Sequence, residues 1–220
     1  NSLSAHYIEF APTANTALGT GEILYKGDET TAGGANAVDF TEAKIVKNNE
    51  IFCEIPISEI TPGTYEWVRT SLTYQNYEID FKHAGVNHTG TLASFVGFNT
   101  YITTHVVDVI SENINANKLQ GYWAFESFGL LSNGQAPGTT VPNPLSATSP
   151  IPPGSCVVTG NFPTPLVITG NETENITVTL QLSTNQSFEW IDDNGDGLFE
   201  PTADEQVVDM GLRGLYPIYQ

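Results

Sequence analysis

Oxygen-bearing side chains recur at every second position in one short segment near the end of the chain. Asp192, Asn194 and Asp196 are separated by single residues, and Gly197 follows them. Calcium takes six to eight oxygen ligands, and a glycine after the third ligand permits the sharp turn that gathers them around one ion. The spacing therefore predicts a calcium loop, in which the Leu198 carbonyl supplies a further oxygen.

The rest of the predicted ligand set departs from the EF-hand pattern. Glu200 stands at the ninth position of that pattern, but Ala203 stands at the twelfth, where an EF-hand has a glutamate. Glu205 and Asp204 follow closely enough to complete the set instead. The flanking residues have the composition of strands, which favours a calcium-bound turn between strands. The alternative is a turn without metal, because Asn-Gly and Asp-Gly pairs are hairpin signals on their own.

The four histidines of the chain do not fit a known catalytic motif. His83 and His88 flank a short turn, and together with His105 they would form a transition-metal site, since imidazole is a common ligand of such ions. Exposed loop histidines are the alternative interpretation. A nucleophile elbow, a zinc-protease helix and a phosphate-binding glycine loop are all missing from the sequence. We therefore predict that the protein is not an enzyme.

Large aromatic residues on predicted strands suggest a ligand-binding face. A row of exposed Tyr and Trp rings stacks well on sugar rings, although filling the core is the commoner role of such residues. The candidates are Trp67, Tyr74, Tyr77, Trp123 and Phe125.

The charge of the chain excludes some classes of partner. Seven Lys and Arg residues against 25 Asp and Glu residues give a formal net charge of −18. This charge repels nucleic-acid phosphates and anionic lipid head groups. It suits a protein in salty, calcium-containing surroundings, where screening limits self-repulsion. We therefore expect an extracellular or cell-surface location and no nucleic-acid binding.

Two cysteines are present, Cys53 and Cys156, and both fall in segments that have strand composition. A disulfide between them would close a loop of about 100 residues and stabilise the fold by roughly 4–5 kcal/mol. Two buried free thiols are the alternative, because sequence separation does not show whether the side chains meet.

Short β-rich segments separated by turn residues recur along the chain and predict an all-β fold, an antiparallel β-sandwich with long loops. The apolar residues Ile176, Val178, Leu180 and Leu182 alternate with polar ones, so they should share one buried face. A short helix would fit only residues 109–118. The predicted strands are 5–10, 21–26, 43–47, 51–57, 64–74, 77–82, 89–98, 100–109, 119–126, 156–160, 175–183 and 206–209.

A proline-rich segment interrupts this pattern at residues 132–154, where six prolines oppose regular strand pairing. We predict one β-sandwich over residues 1–220 with a long excursion at 132–154. The alternative is a sandwich at 1–131 followed by a small β segment at 155–220. The sequence contains no apolar run of transmembrane length.

Residues 175–190, the acidic loop (residues 192–200) and residues 207–215 together resemble the C-terminal end of Bacteroidetes surface lipoproteins. The turn Pro62-Gly63-Thr64-Tyr65 is similar to turns common in them. The resemblance implies a β-sandwich tethered to the outer membrane, often associated with glycan uptake. Members of that family begin with a lipidated cysteine, whereas this chain begins with Asn1. The absence of an initiator methionine suggests a processed protein.

These observations lead us to expect a non-enzymatic, calcium-stabilised β-sandwich at the cell surface. It would bind a glycan or serve as an accessory component beside other outer-membrane proteins. A second expectation is a subunit of a surface filament or layer that self-assembles by strand addition, with residues 2–10 and 215–220 as the exchanged strands. A transition-metal-binding surface protein is the third.

Overall fold

The chain folds almost entirely as β-strands, which confirms the predicted all-β class. A computed structural model describes residues 2–137, 143, 146–149, 151, 152 and 154–220. Its helical content in those residues consists of two 3₁₀ turns, Ile57–Glu59 and Ser146–Thr148. No helix in this part of the chain is long and apolar enough to cross a membrane.

The strands follow one another in an order that mixes long central strands with short peripheral ones. They are β1 (Ser2–Ala11), β2 (Glu22–Lys26), β3 (Glu29–Thr30), β4 (Ala37–Asp39), β5 (Val46–Lys47), β6 (Gly63–His83), β7 (Val86–Phe95), β8 (Asn99–Val106), β9 (Ser111–Leu119), β10 (Tyr122–Ser127), β11 (Leu130–Gln135), β12 (Cys156–Ile168), β13 (Val178–Ser183), β14 (Phe188–Trp190), β15 (Val207–Met210) and β16 (Gly214–Tyr219).

The 21-residue strand β6 is the axis of the eight-stranded central sheet. It pairs with β12 over residues 63–72, with β1 over 67–76 and with β7 over 74–83. The sequence predicted two strands here, 64–74 and 77–82. They are one strand because Gln75 and Asn76, although polar, have ladder partners in both β1 and β7.

The central sheet is buried on both faces. Neighbouring residues of β10 belong to different cores: Tyr122 and Ala124 face one, whereas Trp123 and Phe125 face the other. A strand that is buried on both sides has a continuous apolar sequence instead of an alternating one, as β10 does. The large sheet is therefore the middle layer of a sandwich-like arrangement.

Smaller sheets cover the two faces. The four-stranded sheet β3-β4-β8-β9 packs over one face, where Ile102 is fully buried. Two ribbons, β13–β16 and β14–β15, pack over the other. Val178, Leu180 and Leu182 of β13 all contact this second core, as their alternation predicted. That core joins residues from Ala5 to Leu215.

The short helix at residues 109–118 is not present: residues 111–118 lie in β9, which pairs with β8, and Val109 and Ile110 precede this strand. Ile110, Ile114 and Lys118 are four residues apart, and that spacing fits both a helix and one face of a strand. Local spacing therefore could not decide between the two, and the ladder with β8 did.

Two predicted strands are wrong or too long. Of residues 43–47, only Val46–Lys47 pairs, with the first residues of β1. Residues 51–56 form no strand, although Phe52 packs against Tyr25 at a ring-centroid distance of 4.8 Å. An extended segment can bury alternate side chains without a ladder partner, so its side-chain pattern resembles that of a strand.

The predicted excursion at 132–154 begins later than expected, after Gln135, because β11 extends to that residue. Residues 138–142, 144, 145, 150 and 153 of this segment lie outside the described residues. After it, β12 returns to pair with β6 in the central sheet.

The two segments considered for strand exchange are both paired within the chain. Residues 2–10 lie in β1, which has β6 on one side and β2 and β5 on the other. Residues 215–219 lie in β16, which pairs with β13. Neither segment is a free strand, because each already pairs with another strand of the chain.

A buried ion pair fixes the loop after β1. Glu9 and Arg69 are almost completely inaccessible, and Arg69 donates to the Glu9 carboxylate at 3.4 Å. The same carboxylate accepts from the Tyr7 hydroxyl and from the Gly19 amide, each at 2.6 Å. Arg69 also donates to the Ala14 carbonyl at 3.2 Å. With the Gly21 amide, which donates to Glu9 at 3.2 Å, four groups depend on the buried charge of Glu9.

Replacement of Glu9 by Gln should destabilise the protein by about 3–5 kcal/mol, because it leaves the Arg69 charge buried and uncompensated. Urea unfolding of the variant measures this loss. Glu42→Gln, at an exposed position, is the control and should change stability by less than about 0.5 kcal/mol. A loss below about 1 kcal/mol for Glu9→Gln would contradict the role given to this pair.

Candidate metal centre

The acidic loop connects β14 to the segment before β15 and lies against an open edge of β6. β1 leaves that edge after Asn76. Further along, the Lys82 amide donates to the Phe199 carbonyl at 2.8 Å, and Phe81 and Phe199 form a parallel bridge. The loop therefore supplies backbone partners where β1 no longer does.

Phe199 anchors the loop in the core. Its side chain is 1% exposed and packs against Phe125, Phe188 and Trp190, with ring centroids 5.2–5.9 Å apart. Two predicted ligands, Leu198 and Glu200, are its immediate neighbours. The position of those ligands is consequently fixed by the packing of the core.

Hydrogen bonds from backbone amides curl the first half of the loop. Asp192 Oδ1 accepts from the Gly195 amide at 2.8 Å, and Oδ2 accepts from the Gly197 amide at 2.8 Å. Asn194 Oδ1 accepts from the Asp196 amide at 2.9 Å. Gly195 and Gly197 have φ of 73° and 77°, a left-handed conformation that glycine adopts without steric cost.

The second half of the loop contains a buried carboxylate oxygen without a partner. Glu205 is 7% exposed, and its Oε2 accepts from the Glu200 amide at 2.6 Å. Its Oε1 is buried and has no hydrogen-bond partner among the described residues. The Glu200 side chain in turn accepts from the Asn194 amide nitrogen. A buried, unsatisfied carboxylate oxygen is unfavourable unless a cation or donor compensates it.

Lys82 brings a positive charge to the loop. Its Nζ lies 2.5 Å from Asp196 Oδ2, and Asp196 Oδ1 accepts from the Leu198 amide at 2.9 Å. The hydrogen bond to Asp196 raises the pKa of Lys82, and the charges of Asp196, Glu200 and Asp192 add to this effect. The same hydrogen bond lowers the pKa of the Asp196 carboxyl.

The structure thus places all six predicted ligands, Asp192 to Glu205, on one loop and its continuation. In the described part of the chain, no three His, Cys, Asp or Glu side chains are arranged as metal ligands. The loop oxygens instead accept hydrogen bonds from backbone amides, and Asp196 also accepts one from Lys82.

The three histidines considered for a transition-metal site do not come together. His83 and His88 lie at the end of the β6–β7 hairpin, on either strand, with the Phe128 ring 5.8 and 4.7 Å from theirs. His105 is buried on β8, where it contacts the Phe95 and Tyr122 rings. The sheet on which His105 lies carries its side chain into a core and away from the hairpin end.

The candidate aromatic residues do not form an exposed row. Tyr74 is buried beside Phe40 and Phe95, and this burial raises its pKa to about 12. Tyr77 faces the opposite core and donates its hydroxyl to the Ser187 carbonyl at 2.9 Å. Trp123 packs in the same core as Tyr77. Trp67 is half-buried nearer the start of β6.

The spacing of Tyr74 and Tyr77 in the sequence could have shown that they lie on opposite faces of the sheet. Tyr74 and Tyr77 are three residues apart, an odd number, so one continuous strand must place them on opposite faces. The prediction of a break between them concealed this consequence.

Both cysteines are free thiols in the structure. Cys156 is fully buried opposite Leu72 in the central sheet, and burial raises its pKa to about 11. Cys53 is half-buried in the irregular segment that follows β5, and burial raises its pKa as well.

Two buried histidine–carboxylate pairs were missed by the sequence analysis. His6 Nε2 lies 3.0 Å from Glu29 Oε1, and His105 Nε2 lies 3.0 Å from Glu112 Oε2. Burial lowers the pKa of each histidine from 6.5, although the neighbouring carboxylate opposes that shift. His105 and Glu112 are direct cross-strand neighbours, so the β8–β9 hairpin would have shown the second pair. His6 and Glu29 had no such local signal.

No protein-family model, no curated protein and no solved structure matches this chain.

Acidification should destabilise the protein through His6 and His105. Because their pKa values are lowered on folding, the unfolded chain binds these protons more readily, and stability falls as the pH drops below 6.5. Glu29, whose pKa is also lowered, adds a further loss as the pH falls below 4.5. Urea unfolding at about pH 7.5 and about pH 5.5 measures the histidine contribution.

Matched variants distinguish the contribution of His6 and His105 to this pH dependence from that of the other titratable groups. A His6→Gln/His105→Gln double variant should lose less stability between the two pH values than the wild type. His83→Gln, at an exposed histidine, should retain the wild-type dependence. Equal pH dependence in all three proteins would show that the buried pairs do not titrate with folding.

Proposed function

We propose that this chain is a non-enzymatic, extracellular β-sandwich protein that binds calcium through residues 192–205. The ion would hold the C-terminal ribbons on the central sheet. The observation that carries this proposal is the Glu205 carboxylate, which is buried against the acidic loop with one oxygen lacking a hydrogen-bond partner among the described residues. A cation in the loop would compensate that oxygen.

The loop oxygens retain the capacity to bind an ion. An ionised carboxylate offers about four acceptor positions, and backbone amides occupy three of them on Asp192. Asn194 Oδ1 accepts one amide and has a second lone pair. Calcium also takes backbone carbonyls, such as that of Leu198. These are hard oxygen donors, which suit calcium better than a softer transition metal.

The position of the loop supports a structural role for the ion. The ligands flank Phe199, which lies in the main core, and β14 and β15 lie on either side of the loop in the chain. An ion bound at residues 192–205 would restrain both ribbon strands and the backbone that pairs with β6. Its binding free energy would thus add to the stability of this part of the fold.

The extracellular location is part of the proposal. A loop that is open to solvent, as the exposed residues Asn194 and Asp196 show, belongs with calcium modules that bind at about 10⁻⁴–10⁻³ M, which are extracellular. The large negative charge and the resemblance of residues 175–190 and 207–215 to surface lipoproteins support the same location. Tyr74 and Tyr77 give no exposed aromatic platform, so glycan binding by that row is not part of the proposal.

Calcium should raise the melting temperature relative to the chelated protein, because a ligand that binds only the folded state stabilises it by mass action. At a free calcium concentration of about 100 Kd, the gain is about 2.7 kcal/mol. Differential scanning fluorimetry in calcium, in magnesium and in chelator measures the shift. Asp192→Asn and Glu205→Gln should remove most of it.

Asp193→Asn is the matched control, because Asp193 is an exposed acid of the same loop outside the predicted ligand set. It should keep the wild-type shift. In chelator, Glu205→Gln should be at least as stable as the wild type, since it removes a buried negative charge. The proposal fails if calcium leaves the wild-type melting temperature unchanged or if Asp193→Asn abolishes the shift as fully as Asp192→Asn.

A further inference from the structure

Lys82 is fixed at the acidic loop by its backbone as well as by its side chain. Its amide donates to the Phe199 carbonyl at 2.8 Å, and its Nζ lies 2.5 Å from Asp196 Oδ2. Both contacts cross from β6 to the loop. The backbone pairing with Phe199 therefore keeps the Lys82 ammonium within reach of the loop.

The ammonium interacts with several predicted calcium ligands at once. It bonds directly to Asp196, and it lies in the electrostatic field of Asp192 and Glu200. The Lys82 and Asp196 side chains are 26% and 25% exposed, so solvent screens the pair only in part. The charge of Lys82 thus partly neutralises the carboxylates that would otherwise attract a divalent ion.

We propose that Lys82 is an internal counter-ion of the calcium loop, which calcium must displace from Asp196, and that Lys82 thereby sets the calcium affinity of the loop. This inference rests on the proposed calcium site. Lys82 lies outside the predicted ligand set, on β6 and 114 positions away from Asp196 along the chain.

Two physical effects give the direction of the change. The ammonium occupies Asp196 Oδ2, so calcium that binds through this oxygen must displace it. After displacement, the tethered positive charge remains close to the ion and repels it. A single charge about 5 Å from a divalent ion in a water-like medium changes affinity by about tenfold or more. Removal of the charge should therefore tighten binding.

An ordinary surface ion pair would behave differently. Such a pair contributes little to stability and, if it oriented Asp196 for calcium, its loss would weaken binding. Calcium affinity therefore distinguishes a competing counter-ion from a supporting contact, because the two roles predict opposite signs.

Isothermal titration of calcium into the full chain tests the inference. Lys82→Met should lower the calcium Kd about tenfold relative to the wild type. Lys82→Arg, which keeps the charge, should stay within about twofold. Lys47→Met removes the same charge from an exposed strand residue and should also stay within about twofold, because solvent screens distant surface charges.

Thermal unfolding gives a second readout. In chelator, Lys82→Met should melt below the wild type, because the carboxylates of the loop lose their counter-ion. In saturating calcium, it should melt at or above the wild-type temperature. The calcium-induced shift should thus be larger in the variant. Lys82→Gln repeats the test with a polar side chain in case the methionine variant does not fold.

The outcomes separate this inference from the proposed calcium site. If the wild type binds calcium and both Lys82→Met and Lys82→Gln bind it equally or more weakly, the inference is overturned and the calcium site stands. If none of the proteins binds calcium, both fail together. Tighter binding in the neutral variants, with Lys82→Arg near the wild type, supports the inference.

Discussion

Backbone hydrogen bonding along β6 is the constraint on which the rest of the structure depends. A buried amide or carbonyl without a partner is unfavourable, so a strand of 21 residues needs partners along both edges. β12 and β7 follow one another along one edge, and β1 covers part of the other. Where β1 ends, the Phe199 carbonyl accepts from Lys82. The acidic loop is thus part of the central sheet's edge as well as a candidate ion site.

Burial of the central sheet on both faces explains why so little of the aromatic content is available for recognition. β7 and β10 send alternate side chains into two cores. Both cores take up tyrosine and phenylalanine rings, and one of them also takes up Trp123 and Trp190. Tyr74 and Tyr77, which look like neighbours in the sequence, fill different cores. The oxygen-rich groups at the rim are therefore better candidates for function than the aromatic residues.

Charge balance links the acidic loop to the remainder of the chain. With seven basic residues against 25 acidic ones, each basic residue that lies among carboxylates strongly changes the local balance of charge. Lys82 provides that effect at the loop, and Arg69 provides it for Glu9 in the core. The two pairs differ in consequence. Glu9 and Arg69 are buried together, so the charge of each needs the other to compensate it. Lys82 and Asp196 remain partly exposed, where a dissolved cation has access.

Local spacing along the chain was sufficient to predict several features of the protein. These are the all-β class, the shared face of Val178, Leu180 and Leu182, and the placement of the candidate ligands on one loop, because each follows from residues a few positions apart. The tertiary structure decided the continuity of β6, the pairing of β9 with β8 and the separation of His105 from His83. It also brought Lys82 to Asp196, 114 residues away. Ladder pairing and core packing join segments that are distant in the chain, and no local pattern specifies which segments will meet.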